Sequence, residues 1–267
     1  MNDLRGKAVL ITGGTRGIGL AAGLAFARQG AVVTLTHKWG SADEAEIQQR
    51  FEAEELPLPR IVQADVASDE DTDQLLADLR TGHDSIEVFI SNVATALVVK
   101  SLSDYSKRSL YRGIDYTAWP LYQYTRKIHQ TFGKYPRYVI GLSSPGPDHF
   151  CVNYDFVAAT KAMMETLCRY MSYRLYADDV RINIVRARPV RTESLWATCG
   201  EGLEPFWAKL NMTSDFIEAD EVAGTLLALC SGLMDGVSGQ VLTVDRGRTF
   251  ADNLMRLYHE RDYISID

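Results

Sequence analysis

The segment "AVLITGGTRGIGLAAGLAFARQGAVVTLTH", residues 8–37, decides the architecture. It opens on "AVLIT" (8–12), an apolar run rich in β-branched residues. The glycine turn "GGTRGIG" follows, then a small-residue helical stretch ending at Gly30, and then a second strand-like run, "VVTLT" (32–36). Strand, glycine turn, helix and strand make the start of a parallel βαβ unit. Glycines at 13, 17 and 19 let the backbone approach a pyrophosphate, and the positive end of the helix stabilises its charge. Gly13, Arg16, Gly17, Ile18 and Gly19 are therefore candidate cofactor-binding residues, with a plain tight turn as the competing reading.

The rhythm continues to the end of the chain. Strand-like runs lie at 60–65, 86–91, 137–143, 180–185 and 240–244. Helical patterns lie between them, at 43–54, 69–80, 114–132, 155–176 and 219–232. Seven strands alternating with helices predict an α/β fold: a Rossmann-like, doubly wound parallel seven-stranded sheet with helices on both faces. No Pro/Gly/Ser linker divides residues 1–267, which read as a single dinucleotide-binding domain. The longest break, 186–218, contains Leu195, Trp196, Phe206, Trp207, Leu210 and Met212 and is expected to cover a substrate, with plain aromatic packing as the competing reading. Residues 250–267 extend past the last strand and either dock on a neighbouring subunit or stay disordered.

Composition narrows the function. The 267 residues are 46% hydrophobic and 24% charged, enough for a sizeable core. A net charge of −7 argues against a nucleic-acid partner. No apolar run reaches the length of a membrane span. Cys151, Cys168, Cys199 and Cys230 form neither a close pair nor a metal-ligand spacing, so no metal is expected and a reducing cytoplasm is the simplest location. The second strand leads into His37 and Lys38 with no acidic residue, and Arg16 lies in the glycine turn. Cations there favour NADPH over NADH, because a carboxylate would repel the 2′-phosphate. A solvated basic loop is the alternative.

At this point the chain resembles the short-chain dehydrogenase/reductase family over nearly its whole length. "TGGTRGIG" (12–19) has that family's TGxxxGxG form. "QADV" (63–66) resembles its adenine-contacting Asp-Val, which implies Asp65 and Val66 as cofactor contacts. "SNVA" (91–94) stands where the family usually has Asn-Asn-Ala-Gly, implying Asn92 and Ala94. "VSGQVLTVDRG" (237–247) resembles its final strand, with Arg246 in place of a usual glycine. Ordinary members carry Tyr-x3-Lys, which would put tyrosine at Val157. "NYDFVAATK" (153–161) has Tyr-x6-Lys, as in the divergent enoyl-acyl-carrier-protein reductases. "VRINIVRARPVRTES" (180–194) and "DYTAWP" (115–120) resemble the same group. That resemblance implies Tyr154, Lys161, Ser144 and Asp115 as catalytic residues. It also implies Lys161, Pro189, Val190 and Thr192 as cofactor contacts, and a homodimer or homotetramer paired through the helices at 114–132 and 155–176. Two departures are Ser144, where many of these reductases have a second tyrosine, and Arg188, in place of the glycine before Pro189.

Chemistry gives the shifted tyrosine a reason. Three residues of helix rotate about 300° and rise ~4.5 Å, so position 154 faces within about 60° of position 157, one turn further out. In carbonyl reduction the oxygen sits on the carbon that accepts hydride. In enoyl-thioester reduction hydride goes to the β-carbon and charge appears on the more distant carbonyl oxygen, which suits the displaced phenol. The ammonium of Lys161 would lower the phenol's pKa and hold the nicotinamide ribose. Ser144 reads as a second donor or as a strand-end turn serine. Asp115 reads as a partner of Lys161, a proton-relay carboxylate or an N-cap. Arg186, Arg188 and Arg191 read as a basic spot for a phosphopantetheine phosphate or an acyl carrier protein, with Arg186 favoured as surface charge.

The expected activity is therefore NADPH-dependent reduction of the C=C bond of a small acyl thioester, on a carrier protein or coenzyme A, in fatty-acid, polyketide or another specialised pathway. A 3-ketoacyl or other carbonyl reductase is the alternative, and a catalytically silent nucleotide-binding or scaffold protein a second.

Overall fold

The computed structural model describes residues 3–38, 42–95 and 97–264. Seven strands form one sheet: β1 (Ala8–Thr12), β2 (Val32–His37), β3 (Arg60–Gln63), β4 (Ile86–Ser91), β5 (Tyr138–Ser143), β6 (Arg181–Ala187) and β7 (Val241–Val244). Their order is β3-β2-β1-β4-β5-β6-β7 and every pairing is parallel. The chain starts at β1, builds outward to β3, then crosses back to β4 and builds the other way. The carboxyl ends of β1 and β4 therefore flank the switch point where such sheets bind ligands.

Side-chain alternation along the strands builds two cores. Val9 and Ile11 face one side with α1 (Gly17–Ala27), α2 (Glu44–Glu52) and α9 (Ala219–Leu229). Ala8 and Leu10 face the other, with α3 (Asp69–Arg80), α5 (Trp119–Phe132) and α6 (Asp155–Arg174). Strands covered on both faces need the continuous apolar runs seen in the sequence.

Three departures from the expected elements have physical causes. The helix expected over 114–132 already begins at α4 (Lys107–Gly113), where the Ser106 hydroxyl caps the Ser109 amide at 3.1 Å. Between α4 and α5 lies a π-helical turn, Ile114–Ala118, next to Pro120. Proline cannot donate to the preceding turn, and a wider turn relieves the clash. The third strand stops at Gln63 rather than residue 65, so Asp65 leaves the sheet.

The excursion after β6 carries α7 (Glu193–Cys199) and α8 (Leu203–Lys209). A bridge between Val190 and Ile217 closes its base. Trp196 and Trp207 both pack on the buried Phe216 ring, with centroids 5.7 and 4.6 Å away. Beyond β7, α10 (Asn253–His259) is tied back to this excursion through Arg248 and Arg256, which lie 3.0 and 3.8 Å from the buried Asp215 carboxylate.

Candidate active site

The glycine turn is shaped by close approach. Gly13 and Gly17 have φ of 62° and 53°, in the region that favours glycine. A Cβ on Gly19 would lie 2.4 Å from the Gly13 carbonyl oxygen and 2.8 Å from Asn92 Nδ2. From β4, the Asn92 amide donates to the carbonyls of Thr12 (3.2 Å) and Gly13 (2.8 Å) and so buttresses the turn. Thr192 caps α7 and lays its methyl 3.3 Å from the Cβ position of Gly17. A cradle without side chains, at the start of a helix and under the Pro189–Val190–Thr192 loop, fits a dinucleotide pyrophosphate. Ile18 is half-buried against one core and Val66 is buried in the other. Ala94 is exposed at the end of β4.

The expected free cations for a 2′-phosphate are not free. Lys38 Nζ pairs with Asp65 Oδ2 at 2.6 Å, also bonds the Tyr116 hydroxyl, and sits 4.4 Å from that ring's centroid. Burial opposes ionisation of Asp65. The Lys38 ammonium, the Ala67 amide and the Tyr116 hydroxyl outweigh it and hold the carboxyl below its usual range. His37 is buried, with Nε2 3.9 Å from Glu44 Oε1. Arg16 Nη1 lies 3.5 Å from Glu193 Oε2. The strand end lacks an acid, as the sequence indicated, but neighbouring elements supply one beside each of these side chains. Tyr116, projecting from the π-helical turn, was missed because nothing in its sequence context links it to β3.

The second half of the site lies at the carboxyl end of β5. Tyr154 is the N-cap of α6, and its carbonyl already accepts from the Ala158 amide at 2.8 Å. The phenol therefore continues the helix direction one turn ahead of Val157, which is buried in the core. Burial pushes the Tyr154 hydroxyl's pKa up, and the nearby Ser144 hydroxyl works against that rise. Ser144 Oγ is itself buried without a hydrogen-bond partner among the described residues. The Tyr154 ring lies on Gly146, where a Cβ would come within 2.9 Å of it. A cavity of about 310 Å³ opens beside this pair, lined by Tyr154, Gly146, Asp148 and Phe150 among others.

Lys161 faces inward from α6 and is 5% exposed. Its ammonium donates to the Leu142 carbonyl. Burial drives its pKa down from 10.5 to about 8, and Glu165 one turn along opposes the fall. No hydrogen bond or ion pair joins Lys161 to Tyr154 or Asp115 among the described residues. Asp115 is exposed in the π-helical turn and caps nothing, because the helix has already started at Lys107. Its expected pairing with Lys161 and its N-cap role are both corrected.

The basic spot is corrected at Arg186, and Arg191 is paired as well. Arg186 is not surface charge: it pairs with the buried Glu165 through Nε (2.7 Å) and Nη2 (2.6 Å) and also bonds Asp148. Arg191 pairs with Glu204 (2.9 Å) and Glu218 (3.2 Å) and lies 5.1 Å from the Phe216 ring. The Arg188 side chain has no hydrogen bond or ion pair among the described residues, and its charge helps hold the Asp245 carboxyl below its usual range. Arg246 takes φ +53°, which explains why a glycine is expected there, and binds Glu221 by Nε (2.9 Å) and Nη2 (2.6 Å).

Comparison with known proteins agrees with this geometry. Residues 13–249 match the family described as enoyl-(acyl carrier protein) reductase. The NADH-dependent enoyl-[acyl-carrier-protein] reductase FabI of Aquifex aeolicus is 27% identical over 253 residues, covering 92% of this chain and 93% of that protein. A crystal structure of an NADH enoyl-[acyl-carrier-protein] reductase from Aquifex aeolicus superposes with a TM-score of 0.81 at 25% identity, covering 94% of this chain and all of that one. A 7α-hydroxysteroid dehydrogenase complexed with NADH shares the fold alone, with TM-score 0.80, 21% identity and coverage of 91% of this chain and 94% of that one. The sheet order and these matches make the chain a short-chain dehydrogenase/reductase dependent on a nicotinamide nucleotide. Within that class the chain belongs to the enoyl-(acyl carrier protein) reductase family.

Proposed function

We propose that the protein reduces the C=C bond of an enoyl thioester, with Tyr154 as the group that stabilises the oxyanion. The observation that carries this reading is the placement of Tyr154 at the first turn of α6, beside Ser144, while Val157 is sealed in the core. A nicotinamide held in the cradle would supply hydride for the substrate's β-carbon. Negative charge would then develop on the thioester carbonyl oxygen, until the α-carbon takes a proton from solvent. The Tyr154 phenol donates to that oxygen, and Ser144, whose hydroxyl has no other partner, is the second donor. Lys161 would hold the nicotinamide ribose and, once drawn towards the phenol, lower its pKa. The cradle at Gly13, Gly17 and Gly19 would hold the pyrophosphate, with Asp65 and Val66 at the adenine end. The 186–218 excursion is read as the substrate cover, with Trp196 and Trp207 gathered on Phe216.

The test is an assay of nicotinamide oxidation with crotonyl and acetoacetyl thioesters, on acyl carrier protein and on coenzyme A. Crotonyl turnover should dominate. Tyr154→Phe should lower turnover roughly 100- to 1,000-fold, a loss of ~2.7–4 kcal/mol, with cofactor binding little changed. Faster reduction of the acetoacetyl thioester would support the carbonyl-reductase alternative, which the fold by itself also allows.

NADPH preference rests on Arg16 and Lys38. Lys38 is shared with Asp65, so a 2′-phosphate competes with that ion pair, and the named relatives use NADH. Arg16→Ala with Lys38→Ala should weaken NADPH at least ~10-fold more than NADH, the scale of one charge-assisted hydrogen bond. Wild-type protein that binds NADH as tightly as NADPH loses this part of the reading.

The reading includes a cytoplasmic enzyme that works as a homodimer or homotetramer. All four cysteines are free, and no helix among the described residues is long and apolar enough to cross a membrane. Exposed Trp119, Met163, Tyr170 and Tyr173 on α5 and α6 supply an apolar surface for pairing, whereas Tyr124 and Met164 belong to the core.

A further inference from the structure

Arg186 stands between two acids at the carboxyl end of β6. One is Glu165, 3% exposed, which also accepts from Ser143 Oγ at 2.7 Å. The other is Asp148, in a turn where the Asp148 and His149 amides both bond the Pro145 carbonyl at 3.0 Å. The same stretch carries Ser144 and Gly146 onto Tyr154, and Asp148 lines the adjoining cavity. A buried ion pair contributes little net stability, because desolvation offsets the attraction. A guanidinium with both carboxylates engaged does, however, fix geometry, since its donors form a rigid planar fork.

We propose that Arg186 is a positioning residue that locks the 144–150 turn onto α6 through Asp148 and Glu165, and so fixes the Tyr154 phenol against Ser144 and Gly146. This rests on Tyr154 being the oxyanion donor. It predicts that Arg186 acts on turnover only by way of the phenol.

The experiment compares Arg186→Met, Arg186→Lys, Asp148→Asn, Tyr154→Phe and the Arg186→Met/Tyr154→Phe double variant in the full chain. Amide hydrogen exchange over 144–154 should quicken ~10-fold in Arg186→Met, with β1 and α1 unchanged. Its kcat should fall ~10-fold, the scale of a misplaced catalytic group, while KM for the nicotinamide cofactor holds. Arg186→Lys should recover part of the loss. In the Tyr154→Phe background Arg186→Met should cost nothing further. Unchanged exchange, or an equal loss of kcat in both backgrounds, overturns the proposal, the latter because it marks a general structural defect. If Arg186→Met does not fold, Asp148→Asn keeps the Glu165 pair and carries the same comparisons. If the wild type reduces no enoyl thioester, the functional reading falls and the exchange measurement still decides the positioning role.

Discussion

Lys161 is an ammonium in a buried site, with a carbonyl as its hydrogen-bonding partner and Glu165 one turn away. Its folded pKa of about 8 lies below the ordinary 10.5, so folding disfavours the charged form. The cost is full below about pH 8 and disappears as pH rises towards 10.5. Lys161→Met should therefore stabilise the protein at pH 7 by about 1–2 kcal/mol, after the lost carbonyl hydrogen bond is deducted. That gain should shrink in melts run above pH 8, and turnover should be lost. A variant less stable than wild type at pH 7 would show that the burial cost had been misjudged. Lys161 and Tyr154 could be singled out in the sequence by resemblance, because the Tyr-x6-Lys pattern is local to one stretch of chain. Arg186 was not, because its acids lie on α6 and in the turn after β5, and no local pattern links the three.

Among the elements, β7 and α9 are joined by a compensated strain. Arg246 holds a left-handed backbone, at about 1 kcal/mol for a residue with a Cβ. Its two bonds to Glu221 at the start of α9 return part of that, discounted because both side chains are substantially exposed. Arg246→Ala keeps the strain and loses the bonds, so it should be the least stable of the three proteins. Arg246→Gly loses both together and should lie close to wild type. Denaturant midpoints of the three proteins give the order, and an alanine variant more stable than the glycine one contradicts it. The other element not foreseen is the π-helical turn before Pro120. The proline was visible in the sequence, but whether the helix breaks or widens there depends on its packing against α6, where Gly113 leaves room for Thr160.

For the molecule as a whole, the exposed aromatic surface bears on assembly. Tyr170, Tyr173 and Tyr176 are 68–87% exposed along the end of α6 and just beyond it. Large aromatic residues in a contiguous exposed stripe mark association surfaces. Light scattering at micromolar concentration should give a dimer or larger, and Tyr173→Glu should shift it towards monomer. A monomeric wild type ends that reading. The sequence by itself determined the strand–helix alternation, the glycine cradle, and the tyrosine and lysine of α6, because each is written in neighbouring residues with a fixed period or spacing. Tertiary structure alone decided which charges remained available. Lys38, Arg186 and Arg191 look alike in sequence as exposed cations, yet each meets carboxylates from other elements. The pairing of a charge depends on distances across the fold, which sequence separation does not encode. For that reason the place of Tyr154 at the start of α6 could be read from the chain and the charges that surround it could not.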